Sequence, residues 1–444
     1  MSRFLVNHLS AMSRLCRVTV LRPLLTPSTT QVRFQTTDIK HRDRLIQKEL
    51  GIARYVGMKT VYSADIETCT VVPNHTPLPV YQVLDNEGCV HDTDQLSLSN
   101  QEVLDIYKQM VTLTLMDKLL YDAQRHGRIS FYMACTGEEA IHFGSSAGLS
   151  HEDMVYAQYR EAGVLMYRGF SPEECMNQCT GNVLDLGKAR QMPVHYGSRK
   201  LNYQHISSPL GTQIPQAPGT AYAFKLQGAN KCVCVFFGDG SASEGDCHAA
   251  MNFATTLQCP VLFFCRNNGY AISTPATEQY AGDGIAMRAI GYGMEAVRVD
   301  GNDLFAVYNA VKHYRERAVT ENAPFLIEAM TYRVGHHSTS DDWKAYRYEN
   351  EVHELGLNSC PVKRVKLFLI KQGLWTSEED EDFIQQTRST LIQTLEKAER
   401  QPKPGLDSLF TDVYDKIPSN LIDQRNEITN HIRKYPNEYP KHYQ

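Results

Sequence analysis

No apolar stretch in this 444-residue chain approaches the roughly 20 residues that a bilayer-spanning helix requires, so a helical membrane span is not expected. Nor is there an excess of positive charge. The chain has 45 Lys and Arg against 50 Asp and Glu, a formal net charge of -5, without the broad basic field on which nucleic-acid binding rests. The 12 cysteines include no CxxC pair, and Cys232, Cys234 and Cys265 lie in apolar, strand-like runs where a thiol behaves as a small hydrophobe. That argues against a zinc ribbon or a disulfide framework and fits a reducing compartment. A last absence is local: no Asp or Glu precedes Asp38, while Arg3, Arg14, Arg17, Arg22 and Arg33 fall there among many Ser and Thr. A secretory signal needs an unbroken apolar stretch, and the best candidate, Val18 to Leu25, is interrupted by Arg22 and Pro23. Residues 1–37 therefore read as a mitochondrial transit peptide, processed near Arg33 to Gln35 and leading to the matrix; a disordered basic tail is the plain alternative.

What is present is 42% hydrophobic and 21% charged residues, enough apolar material for one large or two moderate cores. Residues 38–99 hold turn formers and short extended runs such as Leu78 to Leu84, and are expected to form an arm lying on another surface. From Asn100, the residues Val103, Ile106, Tyr107, Met110, Leu113 and Leu120 recur at helical spacing, predicting a helix capped by Ser99 or Asn100 and ended by Gly127. A second helix is expected near Thr136 or Gly137, with Glu138 and Glu139 in its first turn, where the dipole favours negative charge. After a Gly- and Pro-rich stretch, Gly187 to Gly219, four strands are expected at Cys232 to Phe237, Val261 to Cys265, Ala296 to Val299 and Phe325 to Ala329. They alternate with helices at Glu244 to Leu257 and Asp303 to Val319, the α/β pattern of a parallel sheet with helices on both faces. This domain is assigned to 100–360 and a helical C-terminal region and tail to 361–444. In the latter, the acidic run Glu378 to Asp382 reads as a solvated helix start, and Gln401 to Gly405 as a linker.

The most informative motif is Gly238-Asp239-Gly240, after an apolar strand and before a helix, with 26 residues between Gly240 and Asn267-Asn268. One strand end delivers Asp239 as a hard oxygen ligand, the next delivers the Asn268 amide oxygen, and backbone and phosphate oxygens can complete a magnesium octahedron. The glycines let the backbone approach phosphates, and a helix beginning near Ser243 would aim its free amides at them. Alone, Gly-Asp-Gly is also a good turn; the strand context and the paired Asn favour the site.

This arrangement resembles the signature of thiamine diphosphate enzymes, in which a divalent metal pins the cofactor's diphosphate. The segments Gln158 to Gly163, Ser207 to Gln213, Arg266 to Tyr270 and Gly335 to Asp342 closely resemble the alpha-subunit family of branched-chain 2-oxo acid dehydrogenases, over nearly the whole chain after residue 37. They look unlike the pyruvate-specific relatives around the metal loop and the His pair. The resemblance implies a thiamine diphosphate-binding fold and magnesium held by Asp239, Asn268 and the Tyr270 backbone. It implies that Tyr159, Arg160 and Arg266 hold the diphosphate, with Ser208, Gly240 and Ser241 near the cofactor. Guanidinium forks suit phosphate oxygens, although Arg160 alone could equally be a salt bridge to Glu161 or Glu152. It also implies a potassium ion at Ser207, Pro209, Thr212 and Gln213; the loop's spacing alone says nothing of one. One departure is that some relatives carry Glu where this chain has Asp239, which shortens the ligand arm and keeps its charge.

His336-His337-Ser338 follows the Phe325 to Ala329 strand in a loop crowded with Ser, Thr and Asp, a natural position for a proton donor and acceptor, or simply for a structural His. The resemblance points to His337 as catalytic, at the cofactor and in acyl transfer to a lipoyl group. In this family the carboxylate that activates the cofactor comes from a second polypeptide, and 444 residues do not comfortably hold two such sheets, so an obligate beta subunit is expected, two chains of each. The lipoyl-bearing transacylase core is the implied acceptor, and the expected reaction is oxidative decarboxylation of branched-chain 2-oxo acids. A pyruvate-type decarboxylase and a catalytically silent regulatory subunit stay open as alternatives. Ser338, immediately after His337, is a candidate phosphorylation site for a regulatory kinase and phosphatase, or merely a loop hydroxyl; Tyr348 stands where relatives often have a second serine.

Overall fold

Ser99 opens the first long helix with a reciprocal cap, its hydroxyl accepting from the Glu102 N–H while the Glu102 carboxylate accepts from the Ser99 N–H. The resulting helix α1 (Asn100–Arg125) buries Val103, Ile106, Tyr107, Met110, Leu113 and Leu120, the stripe read from the sequence. The computed structural model describes residues 77–439 and, before them, one antiparallel pairing of Ile52–Ala53 with Thr60–Val61. The expected transit peptide and most of the expected arm lie outside the described residues.

Six parallel strands form the sheet: β1 (Val80–Tyr81), β2 (Met154–Tyr156), β3 (Val233–Gly238), β4 (Val261–Asn267), β5 (Glu295–Asp300) and β6 (Phe325–Met330). Their spatial order is β1-β5-β6-β4-β3-β2, and every neighbouring pair is parallel. Strands covered on both faces must be apolar on both. In β3 and β4, alternate residues accordingly enter two cores: Cys234, Phe236, Leu262 and Phe264 join one, Val233, Val235, Phe237, Phe263 and Cys265 the other. The first core is closed by α1, α2 (Glu139–Gly148) and α3 (Leu304–Glu321), and the second by helices Gln213–Gln227 and Gly245–Thr256. The chain leaves β4 to lay down β5 beyond the later β6, so the order reverses there and opens a crevice at the carboxyl ends of the strands.

Four sequence expectations change. Part of the expected arm is sheet: β1 pairs with β5, and the buried carboxylate of Asp303 accepts from the N–H groups of Val83 (2.6 Å) and Leu84 (2.7 Å). The extended run Leu78 to Leu84 contains this strand, but two residues are too few to record in a side-chain period that they join the sheet. The helix after the Gly-Asp-Gly loop begins at Gly245, preceded by a 3-10 turn at Ser241–Ser243, so its free amides start later than expected. The 401–405 segment is bound to the body, its Pro402 carbonyl accepting from the Val183 N–H at 2.8 Å. Finally, the acidic run is not all solvated. Thr376 and Glu379 form a capping box that turns Asp380 inward, where it accepts from Tyr107 Oη (2.5 Å), Lys366 Nζ (2.6 Å) and Trp375 Nε1 (3.2 Å).

Burial raises the Asp380 pKa, but bonds from Lys366, Tyr107 and Trp375 outweigh it and hold the group below its ordinary value. A depressed carboxylate contributes stability above its unfolded pKa and loses it as pH falls through the folded one. Asp380→Ala is therefore expected to destabilise the chain by about 1–3 kcal/mol at neutral pH by stranding the Tyr107 hydroxyl, with the difference shrinking in acid. Denaturant unfolding of both proteins at several pH values checks this.

Candidate active site

Four strand ends feed one cleft. Gln158, Tyr159 and Arg160 follow β2, Gly238, Asp239, Gly240 and Ser241 close β3, Arg266 and Asn268 close β4, and Arg333 and His337 come from the loop after β6. The cleft encloses about 230 Å³, with Leu210, Glu244, Tyr270, Ala271 and Ile272 completing its wall. Gln158 ties the first two loops together, its Oε1 accepting from the Gly238 N–H (2.8 Å) and the Ser241 hydroxyl (3.3 Å). Gly240 has no alternative: a Cβ there would sit 2.9 Å from that of Ala271.

Charge is arranged in two layers. On the cleft wall Arg266, 2% exposed, reaches back to carboxylates behind the lining, donating through Nε to Glu161 and through Nη1 to Glu138 (2.7 Å). Burial works against every charge here; at Glu138 the Arg266 and Arg160 charges outweigh it and bring the carboxyl down to about 2, and at Arg266 the two glutamates hold the guanidinium more firmly charged than usual. Above lies Asp239, 2% exposed, whose carboxylate accepts from Gln279 Nε2 at 3.2 Å and is pushed above its ordinary range chiefly by burial. A buried carboxylate of that kind suits a cation. Asn268 offers its Oδ1 beside it in the cleft, and Tyr270 follows with its N–H on that oxygen (3.2 Å). Among the described residues no three His, Cys, Asp or Glu side chains cluster, so a cation here would take mixed carboxylate, amide and backbone oxygens.

The two histidines part company. His336 stacks on Tyr121 with ring centroids 6.3 Å apart and accepts the Trp343 N–H on Nδ1, a structural part. His337 lines the cleft, its Nδ1 facing Nη2 of Arg160 (3.1 Å) and Nη1 of Arg333 (3.3 Å). Two guanidinium donors require Nδ1 to accept, which leaves the ring proton on Nε2. Burial, then Arg160 and Arg333, bring its pKa down to about 3, so the imidazole is neutral at physiological pH rather than poised near it. The backbone N–H of His337 donates to Asp341 at 2.7 Å, and Arg160 also donates to the His337 carbonyl. Arg160 thus makes neither salt bridge considered for it: its guanidinium bonds the carbonyls of Ala134 and His337, and Glu152 pairs with Lys231.

The remaining candidates lie apart. Ser208 is outside the cleft lining, its hydroxyl 2.7 Å from Nε2 of His195. In the same loop the Thr212 hydroxyl donates to the Pro209 carbonyl (3.1 Å), and Gln213, the first residue of the helix that follows, donates its amide to the Phe236 carbonyl (3.0 Å); Ser207 is half-buried. Ser338 is half-buried and accepts from the Ser340 N–H at 3.2 Å. Sequence reasoning missed Glu138, Glu161, Gln158 and Arg333. The available signals were a pair of glutamates, Glu138 and Glu139, opening a helix of otherwise small and apolar residues, and the place of Gln158 and Glu161 in the same segment as Tyr159 and Arg160.

A parallel α/β sheet with a cationic, carboxylate-bearing cleft at its switch point defines an enzyme that binds an anionic cofactor. The dehydrogenase E1 component family model matches residues 107–407, and the chain belongs to this thiamine diphosphate-dependent family. Among its relatives, the human mitochondrial 2-oxoisovalerate dehydrogenase subunit alpha is 54% identical over 364 residues, 82% of each chain. The Dictyostelium discoideum protein of that name is 54% identical over 365 residues, 82% of this chain and 83% of its own, and the Caenorhabditis elegans one 50% over 392 residues, 87% and 90%.

The Gly240 contact is directly testable. Gly240→Ala is expected to weaken thiamine diphosphate binding about tenfold, because overpacking of one methyl costs about 1–3 kcal/mol. Adding Ala271→Gly removes the opposing methyl and should restore affinity, as read by calorimetric titration.

Proposed function

We propose that this chain is the alpha subunit of a mitochondrial matrix dehydrogenase that oxidatively decarboxylates branched-chain 2-oxo acids and passes the acyl group to a lipoyl arm. The observation that carries the reading is the convergence of Asp239, Asn268, Arg160, Arg266 and His337 on one cleft, in a chain about half identical to 2-oxoisovalerate dehydrogenase alpha subunits over most of its length.

In this reading Asp239, the Asn268 carbonyl and the Tyr270 backbone carbonyl bind magnesium with hard oxygens. Tyr159, Arg160 and Arg266 donate to the diphosphate, and Gly240 and Ser241 let the backbone lie against it. Ser207, Pro209, Thr212 and Gln213 offer a potassium ion hydroxyl, carbonyl and amide oxygens; Gln213 commits its amide N–H to Phe236, which leaves its oxygen for a cation. Ser208, held by His195, steadies that loop beside the cofactor. Thiamine diphosphate, when bound, supplies the electron sink that allows a 2-oxo acid to lose carbon dioxide. The chain's own part is positional and electrostatic. His337 offers an Nε2–H to the developing oxygen of the substrate and to the acyl group in transfer, while Arg160 and Arg333 hold the ring by Nδ1.

Two alpha and two beta chains would complete the pocket, the beta chain contributing the carboxylate that faces the cofactor's ring, with the lipoyl-bearing transacylase as acceptor. The decisive experiment assays co-expressed alpha and beta chains on a panel of straight and branched 2-oxo acids. Preferred turnover of the acids derived from leucine, isoleucine and valine, with none by the alpha chain alone, is expected. Preference for pyruvate would overturn the substrate class.

Regulation follows from the histidine loop. A phosphate on Ser338 adds roughly -1.5 to -2 charges beside His337, within a loop that Arg160, Arg333 and Asp341 hold by a few polar bonds. Treating the assembled enzyme with a matrix kinase and ATP is expected to place phosphate on Ser338 and abolish acyl transfer, reversibly with a phosphatase, and to leave Ser338→Ala active. Full activity with stoichiometric phosphate at Ser338, mapped by mass spectrometry, would refute the switch.

A further inference from the structure

Glu138 stands at the N-cap of α2, 1% exposed, yet makes no capping bond to its own helix. Were it only a cap, its carboxylate would accept from the first-turn N–H groups. Both oxygens are instead committed across the fold. Oε2 accepts from Nη1 of Arg266 at 2.7 Å, and Oε1 accepts from Nδ2 of Asn268 at 3.0 Å.

The second bond carries chemical information. An amide presents a carbonyl oxygen on one side and two N–H donors on the other, almost the same in shape, and only a hydrogen-bond partner decides which faces where. A carboxylate can only accept, so Glu138 compels Asn268 to turn its NH2 inward and its oxygen toward the cleft. The Tyr270 N–H, 3.2 Å from that oxygen, agrees with this orientation. A flipped Asn268 would offer a cation two N–H groups and repel it.

We propose that Glu138 is a positioning residue for cofactor binding, orienting the Asn268 oxygen toward magnesium and anchoring Arg266 toward the diphosphate. The role rests on the reading of Asn268 as a magnesium ligand. Glutamine at this position keeps shape and loses the double acceptor. Its oxygen goes to Arg266, its NH2 then meets the NH2 of Asn268, and the conflict is relieved when Asn268 flips.

The test titrates magnesium calorimetrically into the co-expressed alpha and beta assembly, freed of cofactor and saturated with thiamine diphosphate. Glu138→Gln is expected to weaken magnesium binding by about 10- to 100-fold, as for other partners of metal ligands. The double variant E138Q/N268D should regain most of it, because a carboxylate at position 268 has no wrong side to present; a merely structural defect at Glu138 would not be rescued this way. Parental affinity in E138Q, or no recovery in the double variant, overturns the proposal. Should E138Q fail to assemble, Glu138→Asp keeps the charge opposite Arg266 but falls a methylene short of Asn268, and parental affinity in it overturns the proposal equally. Asn268→Ala separates the two readings: if it alone loses magnesium while E138Q does not, the role of Glu138 fails and the metal site stands. If Asn268→Ala binds as the parent does, the metal site fails and the proposal with it.

Discussion

Much of this molecule is organised around the cost of sealing one guanidinium beneath a sheet edge. Arg266 is 2% exposed, and its partners Glu138 and Glu161 are 1% and 0% exposed. Buried charges are tolerated only when each is paired and its remaining donors and acceptors are satisfied, so such a cluster contributes little net stability and a great deal of geometry. Glu138 comes from the start of α2, Glu161 from the loop after β2, and Arg266 from the end of β4. None of the three elements can shift without stranding a charge. The cleft above them inherits that rigidity, which is what a site needs to hold a ligand within a few tenths of an ångström.

The histidine loop is held differently. His337 is fastened to the body by Arg160 and Arg333 at its ring, by Arg160 at its carbonyl and by Asp341 at its N–H. Farther out, Arg347 donates to the carbonyls of Arg333 and Gly335 while lying over the rings of Tyr270, Tyr332, Trp343 and Tyr346. These are polar bonds in a half-buried loop, backed by aromatic rings, with Tyr159 edge-on to His337 and Tyr121 stacked on His336. The same arginines that hold His337 also keep it neutral, and negative charge entering the cleft would raise its basicity by Coulomb attraction.

The fold was legible wherever burial writes a period into the sequence. The α1 stripe, the doubly apolar β3 and β4, and the alternation of strand and helix all arise because one face or both must leave water. The extended run Leu78 to Leu84 was legible and holds β1, but its place in the sheet was not: β1 is defined by its backbone pairing to Arg298 and Val299 on β5, and no side-chain pattern records that. Asp380 was misread for a related reason, since an acidic run looks solvated until a capping box turns one member toward Tyr107, a residue 273 positions away.

By itself the sequence determined the α/β class and the meeting of Asp239 with Asn268 in one cleft, because Gly-Asp-Gly after a strand and Asn-Asn after the next place their side chains at neighbouring strand ends of a parallel sheet. The tertiary structure alone decided what holds His337 in the cleft, why it is neutral, and which carboxylates answer Arg266. Those depend on charges brought together from positions more than a hundred residues apart, as with Glu138 and Arg266, whose separation is 128 residues. Electrostatic energy follows distance in space and depth of burial, and neither is a property of sequence spacing.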